Sequence, residues 1–136
     1  MRLPITLATA AAVAALASCT TAPERETRSP QAAAELAEKL AGRTAGPTKS
    51  CIPNYPSTQM QVIDDYTILF DAGSTVYVQN PQGGCRGLAN GSYTLVTRQY
   101  GTQLCANDIH RMVDLQTGMQ GGACVFSEFV PYKRQG

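Results

Sequence analysis

From Gln59 onward the chain is written in short β-branched and aromatic pieces, each closed off by Gly, Pro, Asn or Asp. Met60 to Ile63, Tyr66 to Phe70, Thr75 to Val78, Tyr93 to Thr97 and Ile109 to Leu115 read as strands, and Val125-Phe126 with Phe129-Val130 close the series. Asp64-Asp65 and Ala72-Gly73-Ser74 read as turns, so residues 66–78 form a hairpin. Asn80 to Gly91 is a turn-rich loop, and Thr117-Gly118 and Gly121-Gly122 are further turns. Five or six such strands predict a mainly β domain, a small antiparallel sheet curled into a partial barrel. Its expected core is Val62, Ile68, Phe70, Val76, Val78, Leu95, Val113, Leu115 and Phe126. Pro131 reads as an edge or stop signal.

The stretch before the strands is different in kind. Ser29-Pro30 has the form of a helix start, with Ser as N-cap and Pro at the first helical position. Ala33, Leu36, Ala37 and Leu40 then repeat at helical spacing, and Gly42 is placed to end the helix, which predicts a helix over 29–42. Glu35 and Lys39 stand four apart in the favourable order. Residues 43–58 are rich in Gly, Pro, Ser and Thr and read as irregular chain. The stapled β domain is expected over 43–136.

At the other end, Met1-Arg2 is followed by an uncharged run from Leu3 to Leu16. That is a signal-peptide leader, shorter than the about 20 apolar residues that span a bilayer. Glu24, Arg25, Glu26 and Arg28 end any apolar continuation. Leu16-Ala17-Ser18-Cys19 resembles the lipobox of bacterial lipoproteins. The resemblance implies a leader over 1–18 that is removed, a lipid joined to the Cys19 sulfur, and acylation of the new amine. One acyl chain holds a protein only marginally, at about 0.8 kcal/mol per buried methylene, whereas two or more hold it stably. Residues 19–28 then read as a tether. By similarity to enterobacterial sorting, where Asp after the Cys retains a lipoprotein in the inner membrane, Thr20 implies the outer membrane.

Removing the 18-residue leader from 136 residues leaves 118, one domain's worth and close to the size at which covalent staples help. The leader takes Arg2 with it, so eleven basic residues fall to ten against ten acidic ones. No basic stripe remains for nucleic acid, and nucleic acid is not an expected partner. With Cys19 given to lipid, Cys51, Cys85, Cys105 and Cys124 remain, an even number in an exported small domain, which reads as two disulfides. No pair has the close spacing that zinc or a thioredoxin-like site needs, so neither a metal nor a cofactor is expected. Four cysteines allow three pairings. Cys51 with Cys105 and Cys85 with Cys124 are the expected pairs, since each ties an early part of the domain to a late one.

Chemistry-bearing groups are few. His110 is the single histidine, and Asp108 lies two residues before it. On a strand both would face one side, so Asp108 could orient His110 as a general base, with Ser92, Ser74 or Thr102 as nucleophile. No elbow motif surrounds those hydroxyls, and the competing reading is a solvated histidine on a sheet edge. Asp64-Asp65 reads as a turn rather than a carboxylate pair. Gly83-Gly84 and Gly121-Gly122 lack the helix and lysine of a phosphate loop. Tyr55, Tyr66, Tyr77, Tyr93, Tyr100 and Tyr132 could line a saccharide or peptide surface, or serve as ordinary sheet aromatics.

Several segments carry a second resemblance: Gly42-Arg43-Thr44-Ala45-Gly46 through Cys51-Ile52-Pro53, Tyr66-Thr67-Ile68-Leu69-Phe70, Gly84-Cys85-Arg86-Gly87-Leu88, Gly101-Thr102-Gln103-Leu104-Cys105 with Asp108, and Phe129-Val130-Pro131-Tyr132. Over residues 38–133 the chain resembles a family of small uncharacterised envelope lipoproteins of Gram-negative bacteria, described as a domain of unknown function. The resemblance implies no activity and no catalytic residues. It favours disulfides, since Cys51 and Cys105 fall in the shared segments. The expected function is therefore a lipid-anchored cell-envelope protein, facing the periplasm, that binds or supports an envelope protein or glycan without catalysis. The alternatives are a hydrolase using Asp108 and His110, or an inhibitor of an envelope-directed enzyme.

Overall fold

The computed structural model describes residues 28–99 and 101–135. The leader, Cys19, Thr20 and all of the tether except Arg28 lie outside the described residues, as does Tyr100.

Helix α1 (Pro30–Leu40) starts where the sequence signals it. Ser29 Oγ accepts a hydrogen bond from the Ala32 amide at 3.2 Å. Gly42 follows the helix at φ +69°, the left-handed turn that glycine adopts without a Cβ penalty. Ten strands follow: β1 (Arg43–Ala45), β2 (Cys51–Pro53), β3 (Gln59–Asp64), β4 (Thr67–Asp71), β5 (Thr75–Gln79), β6 (Tyr93–Val96), β7 (Gln103–Cys105), β8 (Ile109–Asp114), β9 (Gln120–Val125) and β10 (Phe129–Arg134). They form three antiparallel sheets, ordered β1-β10-β5-β4-β3, β2-β7 and β6-β8-β9. The fold is mainly β with one helix and antiparallel sheets, as expected; the sheets are layered and close no barrel.

Strands β4 and β5 explain the layering. Every residue from Thr67 to Phe70 and from Thr75 to Gln79 is buried, so both faces of this hairpin are covered. On one face Leu69, Val76 and Val78 meet Ala32 of the helix and Ile63, with Leu36, Leu40, Val130 and Tyr132 at the margin. On the other, Ile68, Phe70, Tyr77 and Phe129 meet Ile52, Leu104 and Met112 from the two smaller sheets, Leu88 from the loop between β5 and β6, and Phe126 just after β9. Phe70, Phe126 and Phe129 pack edge to face with centroids 5.8–6.0 Å apart. Gln79 is fully buried at the end of this layer, and its amide is satisfied by Ser127. Its Oε1 accepts from the Ser127 amide at 2.8 Å, and its Nε2 donates to the Ser127 carbonyl at 2.8 Å.

Several expectations are corrected. Residues 43–58 contain two strands, because β1 pairs with β10 and β2 with β7, partners far along the chain. Gly121-Gly122 is not a turn but the middle of β9: a Cβ on Gly121 would stand 1.9 Å from Tyr93 Cε1, so glycine lets the ring cross the strand. In β8 the core-facing set is His110 and Met112, leaving Val113 half-buried and Leu115 exposed. Both alternating sets carry apolar residues, and register decides which one turns inward. The helix buries Ala32 and half-buries Leu36 and Leu40, while Ala33 and Ala37 are exposed.

Pro131 lies inside β10, flanked by β1 and β5, and is neither a stop nor on an edge strand. The β1 ladder ends at Ala45 opposite Tyr132 and resumes as a bridge between Lys49 and Phe129. Gly46, Pro47 and Thr48 thus oppose only Val130 and Pro131, a bulge of one extra residue at the sheet edge. A strand residue aims its N–H and C=O the same way, and the Pro131 carbonyl accepts from Gly46 N at 2.7 Å. The donor that Pro131 lacks would therefore point into the bulge, where no ladder bond is required.

Candidate functional site

The four domain cysteines are brought together as two disulfides. Cys51 joins Cys105 between directly paired residues of β2 and β7, with Cα atoms 4.0 Å apart. Cys85, in the loop after β5, joins Cys124 of β9 with Cα atoms 5.3 Å apart. These are the expected pairs. They close 54 and 39 residues, each worth about 4 kcal/mol in the chain-entropy model.

Asp108 and His110 do not assemble as a dyad. Asp108 Oδ2 accepts from the Cys105 amide at 3.0 Å, across a turn that holds Asn107 at φ +67°. His110 is not a solvated edge residue either. It sits in the central strand of the β6-β8-β9 sheet, 1% exposed, with its ring centroid 4.1 Å from that of Phe126. Neither ring nitrogen has a hydrogen-bond partner among the described residues. Burial holds the imidazole below its usual pKa of 6.5, and the Asp108 charge pulls the other way. Ser74, Ser92 and Thr102 are exposed, and none bonds to His110.

The remaining candidates serve the fold. Asp64 accepts from Tyr66 N at 2.8 Å and pairs with Arg28 at 2.6 Å. Asp65 clamps the loop after β5, its carboxylate accepting from Gly87 N at 3.1 Å and Ala89 N at 2.9 Å. Tyr77 is buried, and a Cβ on Gly84 would stand 2.6 Å from the Tyr66 ring. Tyr93 lies against Gly87 and Gly121, Tyr132 flanks the helix-side core, and Tyr55 is exposed, so these five do not share one surface. Among the described residues no three His, Cys, Asp or Glu side chains cluster as a metal site, and no helix is long and apolar enough to cross a membrane.

What the sequence reading missed is the bulge between β1 and β10. It opens a groove of about 220 Å³ lined by Thr44, Gly46, Pro47, Thr48, Lys49, Pro131 and Lys133. Neither proline has an N–H to donate, so beyond the Gly46 N–H to Pro131 carbonyl bond the ladder stays open here. Among the described residues no carboxylate lines the groove. Among the described residues the ion pair found is Arg28 with Asp64, and neither lysine ammonium has a partner. The signal was present as a twice-used pattern, Pro47-Thr48-Lys49 and Pro131-Tyr132-Lys133. Run antiparallel, the two copies put prolines at the centre and a lysine toward each end.

Comparison with protein-family models, curated proteins and solved structures finds no match.

Proposed function

We propose that the protein is a lipid-anchored component of the bacterial cell envelope, a non-enzymatic module that holds a partner at the groove between β1 and β10. The anchor rests on Leu16-Ala17-Ser18-Cys19 and the leader before it, and Thr20 favours the outer membrane. Cys19 stands nine residues before Arg28, a reach of about 30 Å when extended. Arg28 is bonded to Asp64 and Thr67, so the tether ends on the turn between β3 and β4. Two disulfides suit an oxidising compartment.

The observation that carries the binding role is the groove itself, a proline-floored opening lined also by Lys49 and Lys133, whose ammoniums have no partner among the described residues. A hydrolase built on Asp108 and His110 has no comparable support, since Asp108 is committed to the Cys105 amide and His110 is enclosed.

Two measurements test the reading. Radiolabelled palmitate should enter the wild type and not Cys19→Ala, and equal labelling would defeat the anchor. A photo-crosslinking amino acid at Thr48, in intact envelopes, should capture a partner that the same group at exposed Gln116 does not. Identical capture patterns would defeat the groove as the binding surface.

A further inference from the structure

We propose that the groove takes an extended acidic peptide segment in which an apolar side chain is flanked, two residues away on each side, by carboxylates. This rests on the reading above that the groove is the binding surface, and it names the ligand class.

The spacing comes from the register. Lys49 is level with Phe129 at one end of the bulge, and Lys133 pairs with Thr44 at the other. Four residues of β10 separate those levels, about 13 Å at strand rise. An extended peptide places residues i−2, i and i+2 on one face, and i−2 to i+2 spans the same four residues. With residue i over Pro47 and Pro131, carboxylates at i−2 and i+2 reach the two ammoniums.

Chemistry excludes the nearer competitors. An apolar floor of two prolines offers an isolated anion such as phosphate nothing. The lining has no aromatic face and no side-chain amide or carboxylate for the hydroxyls of a saccharide, only Thr44 and Thr48. Strand addition through the peptide backbone is also poorly served, since both prolines lack donors and the Pro131 carbonyl already accepts from Gly46. Recognition falls to side chains, with the charge complementarity carried by Lys49 and Lys133.

The test uses the mature lipidated chain in detergent and three fluorescein-labelled, amidated peptides, Glu-Ser-Val-Ser-Glu, Ser-Glu-Val-Glu-Ser and Gln-Ser-Val-Ser-Gln, read by anisotropy. The first should bind, and more weakly as salt rises. The second, whose carboxylates lie on the face opposite Val, should bind several-fold more weakly, and the third should not bind. Lys49→Gln and Lys133→Gln should each weaken the first peptide about two- to fivefold, in the range of exposed ion pairs. Both variants replace exposed side chains that have no partner among the described residues, and circular dichroism checks that they fold. Equal binding of the first two peptides, or indifference to both lysine substitutions, would overturn the proposal. So would lysine-dependent binding of a hyaluronan tetrasaccharide in place of the peptide. Capture of a partner at Thr48 without binding of the first peptide would remove the ligand class and keep the binding surface. Failure of both would remove the two together.

Discussion

His110 gives the sharpest test of the packing argument. It is 1% exposed, and neither ring nitrogen has a hydrogen-bond partner among the described residues. A buried polar group without a partner costs about 1–3 kcal/mol. His110→Leu removes that cost at similar volume. It gives up the ring contact with Phe126, worth about 0.5–1.5 kcal/mol, and adds some shape mismatch. The net expectation at pH 7.5 is a variant as stable as the wild type or about 1 kcal/mol more stable, where loss of a core aromatic ring ordinarily destabilises. The pH dependence is the cleaner signature. Burial lowers the folded-state pKa below 6.5, so the unfolded chain binds the proton first as pH falls. The wild type therefore keeps full stability above pH 6.5 and loses it as pH falls from there toward the lowered folded value. At pH 5.5 the loss attributable to His110 is bounded by about 1.4 kcal/mol, the energy of one pH unit. Urea titrations followed by tyrosine fluorescence, at pH 7.5 and 5.5, compare the two chains. The gap between them should widen in favour of His110→Leu at the lower pH. A gap independent of pH, or a variant 2 kcal/mol less stable at pH 7.5, would refute the account of an enclosed, unsatisfied imidazole.

Three further outcomes follow from single contacts. Replacing Cys51 and Cys105 together by Ala should cost about 4 kcal/mol in urea titration, because the staple closes 54 residues. Gly121→Ala places a Cβ 1.9 Å from the Tyr93 ring and should cost about 3 kcal/mol; combining it with Tyr93→Leu should cost less than the sum of the two changes. Asp65→Ala frees the amides of Gly87 and Ala89, and hydrogen exchange at those two positions should speed up about tenfold or more while exchange in β4 and β5 stays slow.

What could be read from the sequence is what is local. Ser29, Pro30 and Gly42 bound the helix because caps act over one turn, and the hairpin of β4 and β5 is visible because its halves are adjacent. The short strands β1, β2 and β7 have three residues each, too few to show a period. They are strands only because β10 and the Cys51–Cys105 staple bring them partners from far along the chain. In β8 the alternation was legible and its direction was not, since Ile109, Val113 and Leu115 look as fit for a core as His110 and Met112. The pairing with β9 places His110 beside Cys124 and the inner layer, which turns Ile109 outward at 69% exposed. The groove was hidden for the same reason: two Pro-x-Lys runs mean little until β1 and β10 are known to meet.

The position of the groove follows from how the chain crosses the domain. After the helix covers one face, β1 lies along the edge of the five-stranded sheet, and the chain must then leave that sheet to make β2 in the layer beneath. Lys49 is the last residue to pair with β10 and Ser50 already bonds toward β7, so the bulge at Gly46 to Thr48 lies just before that departure. The first strand of the sheet at the opposite edge is β3, and Arg28 fixes the end of the tether there through Asp64. Five strands at about 4.8 Å spacing put roughly 19 Å between the two edges. In a lipid-anchored protein, the anchor therefore pulls at the β3 edge while the groove opens at the β1 edge. On the proposed anchoring, nine residues reaching about 30 Å when extended would let the domain stand with the groove turned from the bilayer. Arg28 and the pair of Pro-x-Lys runs thus lie at opposite edges of one sheet, and on the proposed anchoring at Cys19 that arrangement would hold a partner clear of the membrane.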